Sequence, residues 1–192
     1  MLKAAVFLVD GVDVREMSQI TLRAKIGLVP QKTVLFSGTI AENIKYGKEA
    51  ATMEEIEHAA HVAQATEFVI GIEAGFDHPI AQGGTNVSGG QKQRLSIARA
   101  LIRKAEIYIF DDSFSALDFK TDAKLREDLK PEIADTTVFI IPQSVSTVRD
   151  ADRIIVLDEG RISGIGTHKK LLNTCKVYRE IVASQLSEEE LA

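Results

Sequence analysis

Apolar runs of strand length alternate along this chain with stretches whose apolar positions recur at helical spacing. Residues 4–9 are apolar and β-prone and stop at Asp10-Gly11, which predicts an opening strand and a hairpin-like turn. Ser18 can cap a short helical turn, and Ile26-Gly27-Leu28-Val29, closed by Pro30, predicts another strand. Thr39-Ile40-Ala41-Glu42 and Thr52-Met53-Glu54-Glu55 are capping boxes, so a helix is expected to start at each. The second of these helices carries Ile56, Ala59, Ala60 and Ala63 on one side. Residues 66–72 extend the helical region until Gly75-Phe76 breaks it, and residues 92–103 form a strongly helical run. Ile107-Tyr108-Ile109-Phe110 has strand length and ends in Asp111-Asp112.

The C-terminal third continues the alternation. Residues 121–129 predict a helix with Ala123, Leu125 and Leu129 available for packing and Pro131 closing it. Residues 136–141 are β-branched and continuously apolar, the pattern of a buried parallel strand, and they lead into Pro142-Gln143-Ser144. A short helical connection at 144–151 precedes a strand at 153–157 and a hairpin turned by Asp158-Glu159-Gly160. Helices at 168–172 and 177–186 close the chain, and the acidic Ser187-Glu188-Glu189-Glu190 tail is expected to fray.

Composition narrows the picture. With 192 residues, 45% of them hydrophobic, the chain can bury a core of ordinary size. Its net charge of −5 argues against a nucleic-acid surface. The single cysteine, Cys175, excludes an internal disulfide and fits a reducing compartment. No apolar run approaches the length of a membrane span, and no signal-peptide pattern opens the chain. His58 and His61 have a possible metal spacing, but no Glu or Cys completes a set, and they read as solvated.

The chemistry concentrates between Val87 and Asp118. Ser88-Gly89-Gly90-Gln91 places small residues before the helical run that starts at Lys92. A helix start offers unpaired N–H groups and the positive end of the dipole to an anion such as a phosphate, and glycines let the anion approach the backbone. Asp111 and Asp112, at the carboxyl end of an apolar strand, stand where open α/β sheets bind ligands and where oxygen ligands can hold Mg²⁺. Ser115-Ala116-Leu117-Asp118 is a turn whose acid can cap the next helix.

Ser88-Gly89-Gly90-Gln91-Lys92-Gln93-Arg94, then an apolar strand ending in Asp111-Asp112, then Ser115-Ala116-Leu117-Asp118, resembles the nucleotide-binding domain of ATP-binding cassette (ABC) transporters. The three pieces resemble its signature, Walker B and D-loop, and Val29 to Ile44 resembles the Q-loop of the exporters and the segment after it. The resemblance implies a P-loop NTPase-like α/β fold, a mostly parallel sheet with an inserted helical subdomain at about residues 45–100. It implies ATP and Mg²⁺ as ligands, with Gln31 and Asp111 holding the metal and Gln31 sensing the γ-phosphate. It further implies a membrane domain whose coupling helix meets residues 36–43, and a place in the cytoplasm at the inner face of the cell membrane. ABC domains work as head-to-tail pairs, each ATP lying between the Walker motifs of one and the signature of the other.

Departures from the family pattern shape the expected activity. Nothing in the 192 residues matches G-x-x-x-x-G-K-[ST], the Walker A loop that wraps the phosphates, and the family's adenine-stacking aromatic is likewise missing. The chain is therefore expected to be a partial ABC domain, without the Walker A strand and helix, that binds ATP poorly in its own site. It is also expected to be marginally stable, with Ile107 to Phe110 and Val138 to Ile141 short of sheet neighbours. Gln82 stands where exporters usually carry Glu, in a segment thought to touch the membrane domain. Asp112 stands where active members carry Glu, withdrawing the water-polarising carboxylate by about 1.5 Å. Gln143 replaces the switch His and cannot become cationic. Asp for Glu with Gln for His is the pattern of the degenerate half of heterodimeric exporters, while Ser88, Gly89, Gly90 and Gln91 remain intact to cap a partner's nucleotide and Asp118 to link the two sites. The alternative is an inert interaction module or the remnant of a truncated gene.

Overall fold

The computed structural model describes the backbone of residues 6–189. Ala4 and Ala5 of the expected first strand lie outside the described residues, as do Glu190 and the two residues after it. The described residues form two compact units that divide between Ile141 and Pro142.

The first unit opens with a hairpin of β1 (Leu8–Val9) and β2 (Val12–Asp13), turned by Asp10 and Gly11, both at positive φ. Next comes α1 (Gln19–Ala24), capped by Ser18 as its sequence predicts, then β3 (Ile26–Val29). A two-residue β4 (Gly38–Thr39) leads into α2 (Ile40–Lys45), and α3 (Met53–Val62) and α4 (Thr66–Ile70) come after it. The capping boxes at Thr39 and Thr52 are both formed, each threonine accepting from the third helical N–H and each glutamate answering to the threonine N–H. β5 (Pro79–Ile80) pairs antiparallel with β4, and a 3₁₀ turn at Gln82–Gly84 leads to α5 (Gly89–Leu101). Then come β6 (Ile107–Asp111), α6 (Phe119–Glu132) and β7 (Thr137–Ile141).

β3, β6 and β7 form a parallel sheet in that order, with Val29, Phe110 and Ile140 in register. β6 is thus the central strand and has a neighbour on each side, contrary to the expectation that it lacks one. One face of the sheet is dry: Val29, Tyr108 and Phe110 are buried in a core shared with Leu95, Ile97 and Leu125. The opposite face is open, with Leu28 54%, Phe139 46% and Ile141 49% exposed. The sequence pattern of a buried strand therefore overstates β7, whose positions alternate between exposed and partly covered. A continuous apolar run records what a strand can bury, and coverage depends on what packs there.

Smaller corrections have local causes. α5 begins at Gly89, so the glycines belong to its first turn and do not precede it. α6 runs from Phe119 through Pro131 to Glu132, because a proline in the last turn forfeits only one hydrogen bond. Ala123 on that helix is exposed, whereas Leu125 and Leu129 are buried.

The second unit pairs β8 (Ile154–Asp158) with β9 (Arg161–Gly166) as the predicted hairpin. α7 (His168–Thr174) and α8 (Lys176–Glu189) complete it around Ile154, Val156, Leu171, Cys175 and Tyr178. α8 continues through Glu189, past the point where fraying is expected.

Candidate functional site

α5 starts on a third capping box. Ser88 Oγ accepts from Gln91 N at 3.2 Å, and Gln91 Oε1 accepts from Ser88 N at 2.8 Å. Both side chains are thereby fixed on the helix start, and the N–H groups of Gly89 and Gly90, in the first turn, have no intrahelical acceptor. The two glycines differ in surroundings. A Cβ on Gly89 would meet open space, whereas one on Gly90 would stand 3.1 Å from Ala116 O in the turn before Asp118. The capped helix start and the Asp118 turn are therefore in contact.

At the end of β6 the backbone turns sharply. Asp112 adopts a positive φ of 46°, and its N–H bonds to Ile141 O at 2.8 Å. Ser113 is fully buried and its Oγ donates to Val29 O at 3.0 Å, tying the turn to the end of β3. Gln31 lies directly after β3 and Pro30, and its Nε2 donates to Asp112 Oδ2 at 3.2 Å. Gln31 and Asp112, far apart in sequence, are thus brought together. Phe114 packs on Phe110 with ring centroids 5.4 Å apart, and the Arg126 guanidinium lies over the Phe114 ring at 4.5 Å.

Asp118 caps α6, accepting from Thr121 N at 3.0 Å and Thr121 Oγ1 at 2.7 Å. The Thr121 hydroxyl, then its N–H, holds the Asp118 carboxyl below its ordinary range, so it stays ionised at the surface. The loop carrying Gln31 is fastened to α5 by Thr33 Oγ1, which donates to the buried Gln93 Oε1.

A second polar seam holds α2 against α5. Asn43, only 2% exposed, accepts from Phe36 N at 2.9 Å and from Arg99 Nη2 at 2.9 Å, and donates to Phe36 O and Thr39 O. Arg99 also donates to Asn43 O and Val34 O and lies under the exposed Phe36 and Tyr46 rings. Burial depresses the Arg99 pKa, and these carbonyl partners replace the water it loses.

Gln143 belongs to the second unit, where its backbone O accepts from Gln185 Nε2 at 2.9 Å. His58 and His61 are both exposed, as the sequence reads, and His58 also bonds to Glu132 at 2.9 Å. Among the described residues no group of three His, Cys, Asp or Glu side chains could hold a metal, and no helix is long and apolar enough to cross a membrane. Asp111 ends β6 and Gln31 follows β3, so both stand at the carboxyl edge of the parallel sheet, where their oxygens would be on offer to a Mg²⁺; the chemistry such an ion would supply is charge neutralisation.

Sequence reasoning missed Ser113, whose bond to Val29 O joins segments distant in sequence that no local pattern marks. The Ser88-x-x-Gln91 box is a local signal for the first turn of α5.

The family described as ABC transporter matches residues 5–115. An uncharacterized ABC transporter ATP-binding protein of Mycobacterium tuberculosis is 49% identical over 185 residues, covering 95% of this chain and 31% of that protein. An ATP-dependent lipid A-core flippase of Syntrophus aciditrophicus is 39% identical over 188 residues, covering 98% of this chain and 31% of the flippase. The structure of a bacterial Atm1-family ABC exporter with ATP bound superimposes with a TM-score of 0.90 at 38% identity, covering 93% of this chain and 31% of that one. The chain thus spans about a third of the length of these relatives, and its α/β architecture with a parallel sheet matches that of the exporter structure.

Proposed function

Because the chain belongs to the ABC transporter family, as an ATP-binding domain homologous to those of exporters, we propose that it acts as one member of a head-to-tail pair whose competent nucleotide site lies on the partner. The helix start at Ser88, Gly89, Gly90 and Gln91 closes over the phosphates of an ATP seated on a second, different ABC domain, and Asp118 links the two sites. Residues 45–100 form the helical subdomain that presents this turn.

The observation that carries the reading is a contrast within one unit. The turn at residues 88–91 has both its caps made, while the base position holds Asp112, one bond shorter than Glu, on left-handed backbone and engaged by Gln31. In its own site Asp111 and Gln31 would hold Mg²⁺ and Asp112 would orient water weakly; Gln143, on the second unit, is an amide where the family's switch residue is a histidine, with no proton to relay. The exposed Phe36 and Tyr46 above Arg99 would receive the coupling helix of a membrane domain, and the pair would work at the cytoplasmic face of a membrane, where ATP use drives export.

Cysteine cross-linking tests the pairing. The chain's single native cysteine, Cys175, is buried, so background is low. Ser88→Cys is expected to form a disulfide with a cysteine placed in the partner's phosphate loop, faster with MgATP than without nucleotide. No cross-link, or one indifferent to ATP, contradicts the pairing.

A further inference from the structure

We propose that Gln64 is a positioning residue that fixes the angle between α5 and α6, and with it the spacing between the turn at residues 88–91 and Asp118 where they meet the partner's nucleotide. The proposal rests on the reading of that turn given above. Gln64 comes after α3 and its cap Ala63 and takes a positive φ of 56°, a conformation that glycine and asparagine adopt more readily. In that conformation its two polar ends face different helices. Its carbonyl accepts from Arg94 Nη1, on α5, at 2.7 Å, and its Nε2 donates to Asp128 Oδ2, on α6, at 2.5 Å.

Arg94 passes the connection to the site. Its Nε donates to Gly90 O at 3.3 Å, in the first turn of α5, and its guanidinium lies 4.7 Å over the Phe68 ring. Burial depresses the Arg94 pKa, an effect the charges of Asp118 and Glu67 partly offset. The helix starts also touch directly, through Gly90 and Ala116. Thus α5 and α6 are joined at two places, one beside Asp118 and one at Asp128, about 15 Å further along α6. A single contact leaves a pivot, whereas two separated contacts fix an angle.

The experiment is steady-state MgATP turnover by the assembled pair containing this chain. Gln64→Gly keeps the carbonyl and adopts the left-handed backbone at ease, so the melting temperature is unchanged while the bond to Asp128 is lost. Turnover is expected to fall about tenfold in kcat, with KM for MgATP unchanged. Asp128→Ala gives the same fall, and the double variant falls no further, as expected for partners in one interaction. Gln64→Lys, which can again donate to Asp128, recovers most of what Gln64→Gly loses. Wild-type kcat in Gln64→Gly, or losses that multiply in the double variant, overturns the proposal. Gly90→Asp in the same assembly separates the two levels. If it silences turnover while Gln64→Gly does not, only the role of Gln64 fails; if it leaves turnover intact, the reading of the turn fails as well.

Discussion

Gly90→Asp is expected to cut ATP turnover by the assembled pair on the order of a hundredfold while leaving the fold intact. A carboxylate in the first turn of α5 suits the helix itself, since the dipole favours negative charge there by about 0.5 kcal/mol. The same carboxylate would face the phosphates of the partner's ATP. Two unit charges about 5 Å apart at an effective dielectric of about 20 repel by roughly 3 kcal/mol, which is on the order of a hundredfold in an equilibrium. The added Cβ also presses on Ala116 O, 3.1 Å away, and so on the turn before Asp118. The expected signature is a large loss of turnover with an almost unchanged melting temperature. A loss matched by unfolding would place the defect in stability, and undiminished turnover would remove the turn from the site.

Gly47→Ala is expected to act in the opposite way, on folding first. Gly47 sits in the seam between α2 and α5, where a Cβ would lie 2.0 Å from Arg99 O and 2.8 Å from Ile102 Cγ2. The Arg99 carbonyl is helix backbone and cannot swing aside as a side-chain tip could. Overpacking against it should cost about 3 kcal/mol, a fall in melting temperature of about 10 °C. Gly89→Ala is the matched control, because nothing lies within 4 Å of its Cβ. Thermal unfolding of the two variants side by side checks the claim, and equal melting temperatures would contradict it. The seam also carries Asn43 and Arg99, so the Gly47 variant should disturb the Phe36 and Tyr46 surface above it.

Legibility in the sequence depends on how local each cause is. The capping boxes at Thr39 and Thr52 span four residues each, and both form. The same local pattern at Ser88 and Gln91 is obscured by two glycines, whose poor helix propensity suggests a loop, although capping offsets that cost. Pro131 likewise suggests a stop too early. β3 and β6 are evident from apolar runs, and so is the placement of Asp111 and Asp112 at a strand end. The pairing of Gln31 with Asp112, and of Gln64 with Asp128, joins segments distant in sequence, and no local pattern announces such bonds. Coverage of the sheet is illegible for the same reason. Leu28, Phe139 and Ile141 have the composition of core residues, yet one face of the sheet remains exposed.

The central claim, that this chain completes a nucleotide site belonging to another domain, is tested most directly by ATPase assay of a catalytically complete partner domain with and without the 192-residue polypeptide. Stimulation that saturates at one polypeptide per partner, with no turnover by the polypeptide alone, is the predicted result. Turnover by the polypeptide unaided, or a partner indifferent to its presence, contradicts the account.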